Sequence, residues 1–241
     1  MTYDSALFYT GDPVETPIGQ IPFKTVGEYA QVLKHIGILQ QVNKMTILTL
    51  LSKNNATDLL KIVRNYPFVD ITIALNDTPI FTQWVESIKY FLNTNPLEPT
   101  KPLIYTDEEL DEYLELIYHM NCVTFPDRLT GNPEIDRFIN YRKKLRQVKG
   151  GTTIEAIMSS VAVFMGLSNE ELKNLTIYQL YVNFYRINSF KSFDVTTMYR
   201  MMDGKVKLVE WSKHQEILDT LVHKEKKLGE VNKFGATLFN P

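Results

Sequence analysis

The chain has 241 residues, 44% apolar and 22% charged, with a formal charge of −2. That is ordinary globular usage, enough to bury a sizeable core as one large domain or two small ones. It argues against a general nucleic-acid or membrane-surface binder, and one cysteine, Cys122, excludes an intrachain disulfide and with it a secreted, disulfide-stapled fold.

The N-terminal MTYDSALFYTGDPVE lacks a basic region followed by an apolar one, so no signal peptide is expected. Residues 11–23 hold three prolines and two glycines. Pro17-Ile18-Gly19-Gln20 reads there as a turn between two short extended pieces. A helix is expected after Thr25, with Glu28 completing a capping box and Val26, Tyr29, Leu33 and Ile36 at helical spacing. Gly37 is expected to end it. Two short helices fit 44–52 and 56–64, with Asn43 and Asn55 as caps. Phe68 to Leu75 is apolar and β-branched and reads as a strand or a helix. Pro79 fits the first position of a helix capped by Thr78, with Trp84, Ile88 and Phe91 on one face. Residues 93–102 carry three prolines and are the best linker candidate, dividing an N-terminal, mostly helical region (1–103) from a C-terminal helical domain (104–230).

In the second half, Thr106 with Glu109 opens a helix to about Met120. Asn132 and Pro133 open another, with Ile135, Phe138, Ile139 and Leu145 as its buried stripe and Gly150-Gly151 as its end. Thr152 with Glu155 caps the next, which stops at Gly166. Ser168 with Glu171 opens a short helix leading to LTIYQLYVNFYRINSFKSF, residues 175–193. There Ile177, Leu180, Phe184 and Ile187 share one sector, and Tyr178, Tyr181 and Tyr185 the neighbouring one. With Val182 the apolar arc covers over half the circumference, more than the roughly 100° stripe of a one-sided helix. Two readings stand for the tyrosines: enclosure in the chain's own core, or a strip facing a partner. Asp203-Gly204 is a turn, Val206 and Leu208 alternate with lysines in a strand-like piece, 212–228 reads as a charged amphipathic helix, and 231–241 as a tail. The expected fold is mainly α, a multi-helix assembly with a small β element near the N-terminus.

Chemistry is sparse. His119 and Cys122 stand three apart, yet nothing suggests a third group to orient the base that a nucleophile needs. The four histidines are scattered, so no metal site is expected. Lys149-Gly-Gly-Thr-Thr153 lies between two helices and has the wrong order for a phosphate loop. No cofactor and no catalytic residue follow. Residues 107–115 carry six acids and no base, and residues 137–149 six bases, including Arg142, Lys143 and Arg146, and no acid. Such segregation suits an antiparallel helix pair, or a docking face that selects a protein partner. Arg142, Lys143 and Arg146 therefore join Tyr178, Tyr181 and Tyr185 as protein-binding candidates. No aromatic lies among the bases from Arg142 to Lys149 as a stacking platform, which argues against nucleic acid as a partner. No apolar run reaches the roughly 20 residues that span a bilayer.

The segment from Asp107 to Trp211 also carries ordered motifs. An acidic helix ends in Met120-Asn-Cys-Val, and Asn132-Pro-Glu leads into the basic helix. Thr153-Ile-Glu-Ala-Ile-Met-Ser-Ser-Val is followed by Gly166-Leu-Ser, then Leu175-Thr-Ile-Tyr-Gln-Leu-Tyr, Arg186-Ile-Asn, the Asp-Gly turn and Val209-Glu-Trp. In these, and in Gly11-Asp-Pro-Val-Glu-Thr-Pro-Ile-Gly, the chain resembles tail-region proteins of phages from low-GC Gram-positive bacteria. Such proteins are similar to tail assembly chaperones, which hold the tape measure or other tail components until polymerisation. The resemblance implies protein binding without catalysis, in the host cytoplasm during assembly. Its partners would be tape measure, tube or baseplate proteins, with a homo-oligomer as a further option. The longer N-terminal region keeps a structural component of the virion as the alternative.

Overall fold

Glycines and prolines at 11–22 fold the N-terminus into a short helix and a hairpin. The computed structural model describes residues 6–44, 46–48, 57–75, 77–98, 100, 102–123 and 152–212. Helix α1 (Ala6–Thr10) ends at Gly11, whose φ of +79° suits glycine. A side chain at that position would also collide with Thr176, its Cβ standing 2.9 Å from the Thr176 Cγ2. Strands β1 (Val14–Thr16) and β2 (Gly19–Ile21) pair antiparallel with Val14 opposite Ile21, and both point into the core.

The Thr25–Glu28 capping box forms on a single 3₁₀ turn that runs into α2 (Tyr29–Gln41). Gly37 does not end this helix. Ile36 and Leu39 are both buried, and their burial outweighs the roughly 1 kcal/mol helix penalty of a glycine. Asn43 does cap the next helical turn, its Oδ1 accepting from the Thr46 amide at 2.9 Å. After α3 (Thr57–Asn65), the ambiguous apolar run is helical, α4 (Phe68–Ala74). Its start is held from a distance: the Asp107 carboxylate accepts from the amides of Phe68 at 2.9 Å and Val69 at 3.0 Å. Helix α5 (Pro79–Leu92) has proline in its first turn, as expected. Thr78 precedes it but does not cap it with its side chain; its hydroxyl donates back to the Leu75 carbonyl.

The proline-rich 93–102 stretch contributes to the core through Leu97, which is fully buried. Helix α6 (Asp107–Met120) begins on the Thr106–Glu109 box. Helix α7 (Ile154–Met165) is capped by Thr153, which accepts from the Ala156 amide, and not by Thr152. Gly166 closes it at φ +68°. Helix α8 (Asn169–Asn174) starts on the Ser168–Glu171 box. The 26-residue α9 (Ile177–Met202) starts on a box of Thr176 and Gln179 that the sequence reading missed. The expected strand-like piece near 206 forms no strand. With no strand of the described residues beside it, it lies along α9: the Val209 amide donates to Thr196 Oγ1 at 3.4 Å, and Arg186 Nη1 donates to the Trp211 carbonyl at 2.7 Å.

The described chain is thus mainly helical, with one small antiparallel sheet near the N-terminus. Two clusters of buried side chains organise it. The first centres on Trp84, Ile88, Leu97, Leu110 and Leu116 and reaches Ile177 and Tyr178 of α9. The second joins Ile157 and Val161 of α7, Leu172 of α8, and Leu180 and Ile187 of α9 to Val26. Between them the chain makes a short antiparallel bridge, Thr25 opposite Thr176, through Val26 N–H to Leu175 O and Ile177 N–H to Lys24 O at 2.9 and 3.0 Å.

Candidate interaction surface

Helix α9 has two halves with different surroundings. In the first, the second cluster takes Leu180 and Ile187 while the first cluster takes the tyrosine side. Tyr178 is only 5% exposed. Its ring lies 5.0 Å from Phe8, 5.9 Å from His119 and 6.5 Å from Phe23. Tyr181 and Tyr185 are half-buried against the same cluster, and burial raises the Tyr181 phenol well above its ordinary pKa. The two-sided helix inferred from the sequence is present, and the chain's own α1 and α6 cover much of the tyrosine side. What Tyr178 offers is core packing; Tyr181 and Tyr185 keep some surface.

The second half is different. Beyond Ile187 the helix leaves both clusters. On one side Phe193 and Thr196 receive the returning segment, with Trp211 packed against Phe190 and Phe193 at centroid distances of 5.6 and 6.4 Å. On the other side Val195, Met198, Tyr199 and Met202 are exposed, and Met201 near the helix end is exposed as well, Met201 and Met202 at 83% and 87%. The end of α7 adds Val163, Phe164 and Met165, also exposed. The Lys191 ammonium, 5.4 Å above the Phe164 ring, connects the two pieces. Contiguous exposed apolar side chains mark contact surfaces, and methionine's flexible thioether adapts to varied partners. The signal was in the sequence: Val195, Met198 and Met202 recur at helical spacing. Periodicity alone cannot say that no part of the described chain packs on them.

The remaining candidates separate cleanly. Arg142, Lys143 and Arg146, with the helix expected from 133, lie outside the described residues. Of the acids on α6, Asp107 caps α4 and Glu109 caps α6 itself, while Glu108, Glu112 and Glu115 are exposed. His119 packs against Phe8 with ring centroids 4.6 Å apart and the planes tilted. Cys122 follows it at φ 54°, and burial of the sulfur pushes its thiol pKa up, opposite to what a nucleophilic cysteine needs. Among the described residues no group of three or more histidine, cysteine or acidic side chains is placed to hold a metal ion. No described helix is long and apolar enough to cross a membrane.

Residues 143–216 match the family model of the YomV second domain, a span that takes in α7, α8, α9 and the returning segment. Over 216 residues the chain is 28% identical to the SPbeta prophage-derived uncharacterized protein YomV of Bacillus subtilis (strain 168), covering 86% of each chain. No solved structure matches. The chain is thus similar to a prophage-derived protein. At the level of phage origin, this similarity and the resemblance read from the sequence agree. The matched span contains the exposed apolar residues of α7 and α9 named above.

Proposed function

We propose that this chain is a non-catalytic, protein-binding factor of phage tail assembly, similar to a tail assembly chaperone, and that it engages its partner through the methionine-rich end of α9. The observation that carries this reading is the exposed row Val195, Met198, Tyr199 and Met202, with Met201 exposed beside it, on a helix whose first half is firmly held in two cores. A rigid base with an adaptable apolar end suits a protein that holds a segment of another and releases it. The phage setting is supported by the similarity to a prophage-derived protein. For Cys122 the non-catalytic reading is supported by burial, which raises its thiol pKa as suits a packed side chain.

A Met198→Glu/Met202→Glu variant tests the reading. Both side chains are exposed, so the fold should tolerate the charges. Affinity for tail proteins should fall about tenfold or more, the cost of spoiling a central interface contact. Unchanged affinity, measured by titration calorimetry against purified tape measure, tube and baseplate proteins, would refute the assignment of this surface. Mass spectrometry of purified particles then separates a transient factor, absent from virions, from a structural component, present in them.

A further inference from the structure

We propose that Glu28 is the hub of an acid-labile latch that joins the first core to the start of α9. Three donors converge on its carboxylate. The Thr25 amide and hydroxyl reach Oε2 at 3.0 and 3.1 Å, and the Tyr90 hydroxyl of α5 reaches Oε1 at 3.3 Å. The Lys24 ammonium lies 4.2 Å above the same Tyr90 ring. His35 of α2 stacks on that ring at 4.3 Å and meets Ser87 Oγ through Nδ1 at 3.0 Å. Ser87 already donates its one hydroxyl proton to the Gln83 carbonyl. His35 Nδ1 is therefore the donor in the neutral ring, and a second proton would enter at Nε2.

The placement gives the cluster its consequence. Glu28 holds Thr25, and Thr25 is the residue bridged to Thr176. The flanking bonds, Val26 N–H to Leu175 O and Ile177 N–H to Lys24 O, are the backbone pairing between the turn before α2 and the start of α9. A protonated Glu28 brings a hydrogen of its own into a site built of donors and no longer offsets the Lys24 charge. Thr25 is then released, and the pairing with it.

The charged surroundings set the direction. For Glu28, burial by itself raises the pKa, but the Thr25 hydrogen bonds, Lys24 and Tyr90 outweigh it and hold it below the ordinary 4.5. For His35, burial, Lys34 and Lys24 lower the pKa below 6.5 against an opposing effect of Glu86. From α8, Lys173 packs against Gly27 and adds no acid there. Both shifts have the same sign: the stabilisation is present above the unfolded pKa and is lost as pH falls through the folded one. The latch should weaken as pH drops below 6.5 and open below 4.5.

Amide hydrogen exchange on the full chain, resolved by residue, tests this. As pH falls below 4.5, after correction for intrinsic rates, Val26 and Ile177 should lose protection while amides of α5 around Trp84–Ile88 keep theirs. Glu28→Gln should show that pattern already at neutral pH. Val26 and Ile177 amides as protected in Glu28→Gln as in the natural chain would overturn the latch. If Glu28→Gln does not fold, the pH series on the natural chain decides, and loss of the latch and α5 amides in one step overturns the proposal.

Discussion

Phe8 shows how much of this fold rests on single side chains. It sits on a five-residue helix that is too short to be stable alone, yet it is 1% exposed. Its ring meets Phe23 at 5.1 Å, His119 at 4.6 Å and Tyr178 at 5.0 Å, and so joins three distant parts of the chain. Phe8→Ala should cost about 3 to 5 kcal/mol in urea unfolding, the range for a buried aromatic. Gly11→Ala should cost about 1 to 3 kcal/mol, since its backbone is left-handed and Thr176 occupies the space of a Cβ. Cys122→Ala should cost only about 1 kcal/mol and leave phage assembly intact. A variant that folds normally yet blocks assembly would restore a chemical role for the thiol. Acid should destabilise the protein beginning near 6.5, where the unfolded chain's His35 takes up a proton that the folded site disfavours, and further below 4.5, where Glu28 does the same. Thermal unfolding across that range checks the order, and a melting temperature unchanged between neutral pH and 4.5 would contradict it.

At the scale of elements, legibility follows the range of the interaction. The boxes at Thr25, Thr106 and Ser168 are local chemistry over three residues, and the sequence shows each of them. Helix α4 is the counter-example. Its β-branched run leaves strand and helix open, and a carboxylate from Asp107, 39 residues on from Phe68, satisfies its first amides. No local pattern carries that information. Gly37 is similar, since burial of residues on either side decides its state. The tyrosine helix is legible as two-sided, but its cover comes from α1, far away in sequence. Its exposed second half carries the functional prediction. Met198→Glu/Met202→Glu should weaken partner binding about tenfold or more, with unfolding free energy within about 0.5 kcal/mol of the natural chain, as for surface substitutions. Tyr178→Ala should do the reverse and destabilise the fold, because that ring is enclosed.

At the scale of the molecule, two buried clusters meet at the Thr25–Thr176 bridge, and α9 runs from both of them out to an exposed apolar end. The first cluster is formed mostly by residues before 124, while the second lies, apart from Val26, inside the span that matches the YomV second domain. The two clusters together thus hold a helix whose exposed end lies inside the matched span. The measurement that bears most directly on protein binding is affinity purification of the tagged chain from cells producing the phage, with the natural chain and Met198→Glu/Met202→Glu compared by quantitative mass spectrometry. Tail proteins should co-purify with the natural chain and be depleted from the variant, and the variant should fail to support tail formation. Equal recovery of tail proteins with both, or normal tails from the variant, would contradict the proposal that this end of α9 is where the protein does its work.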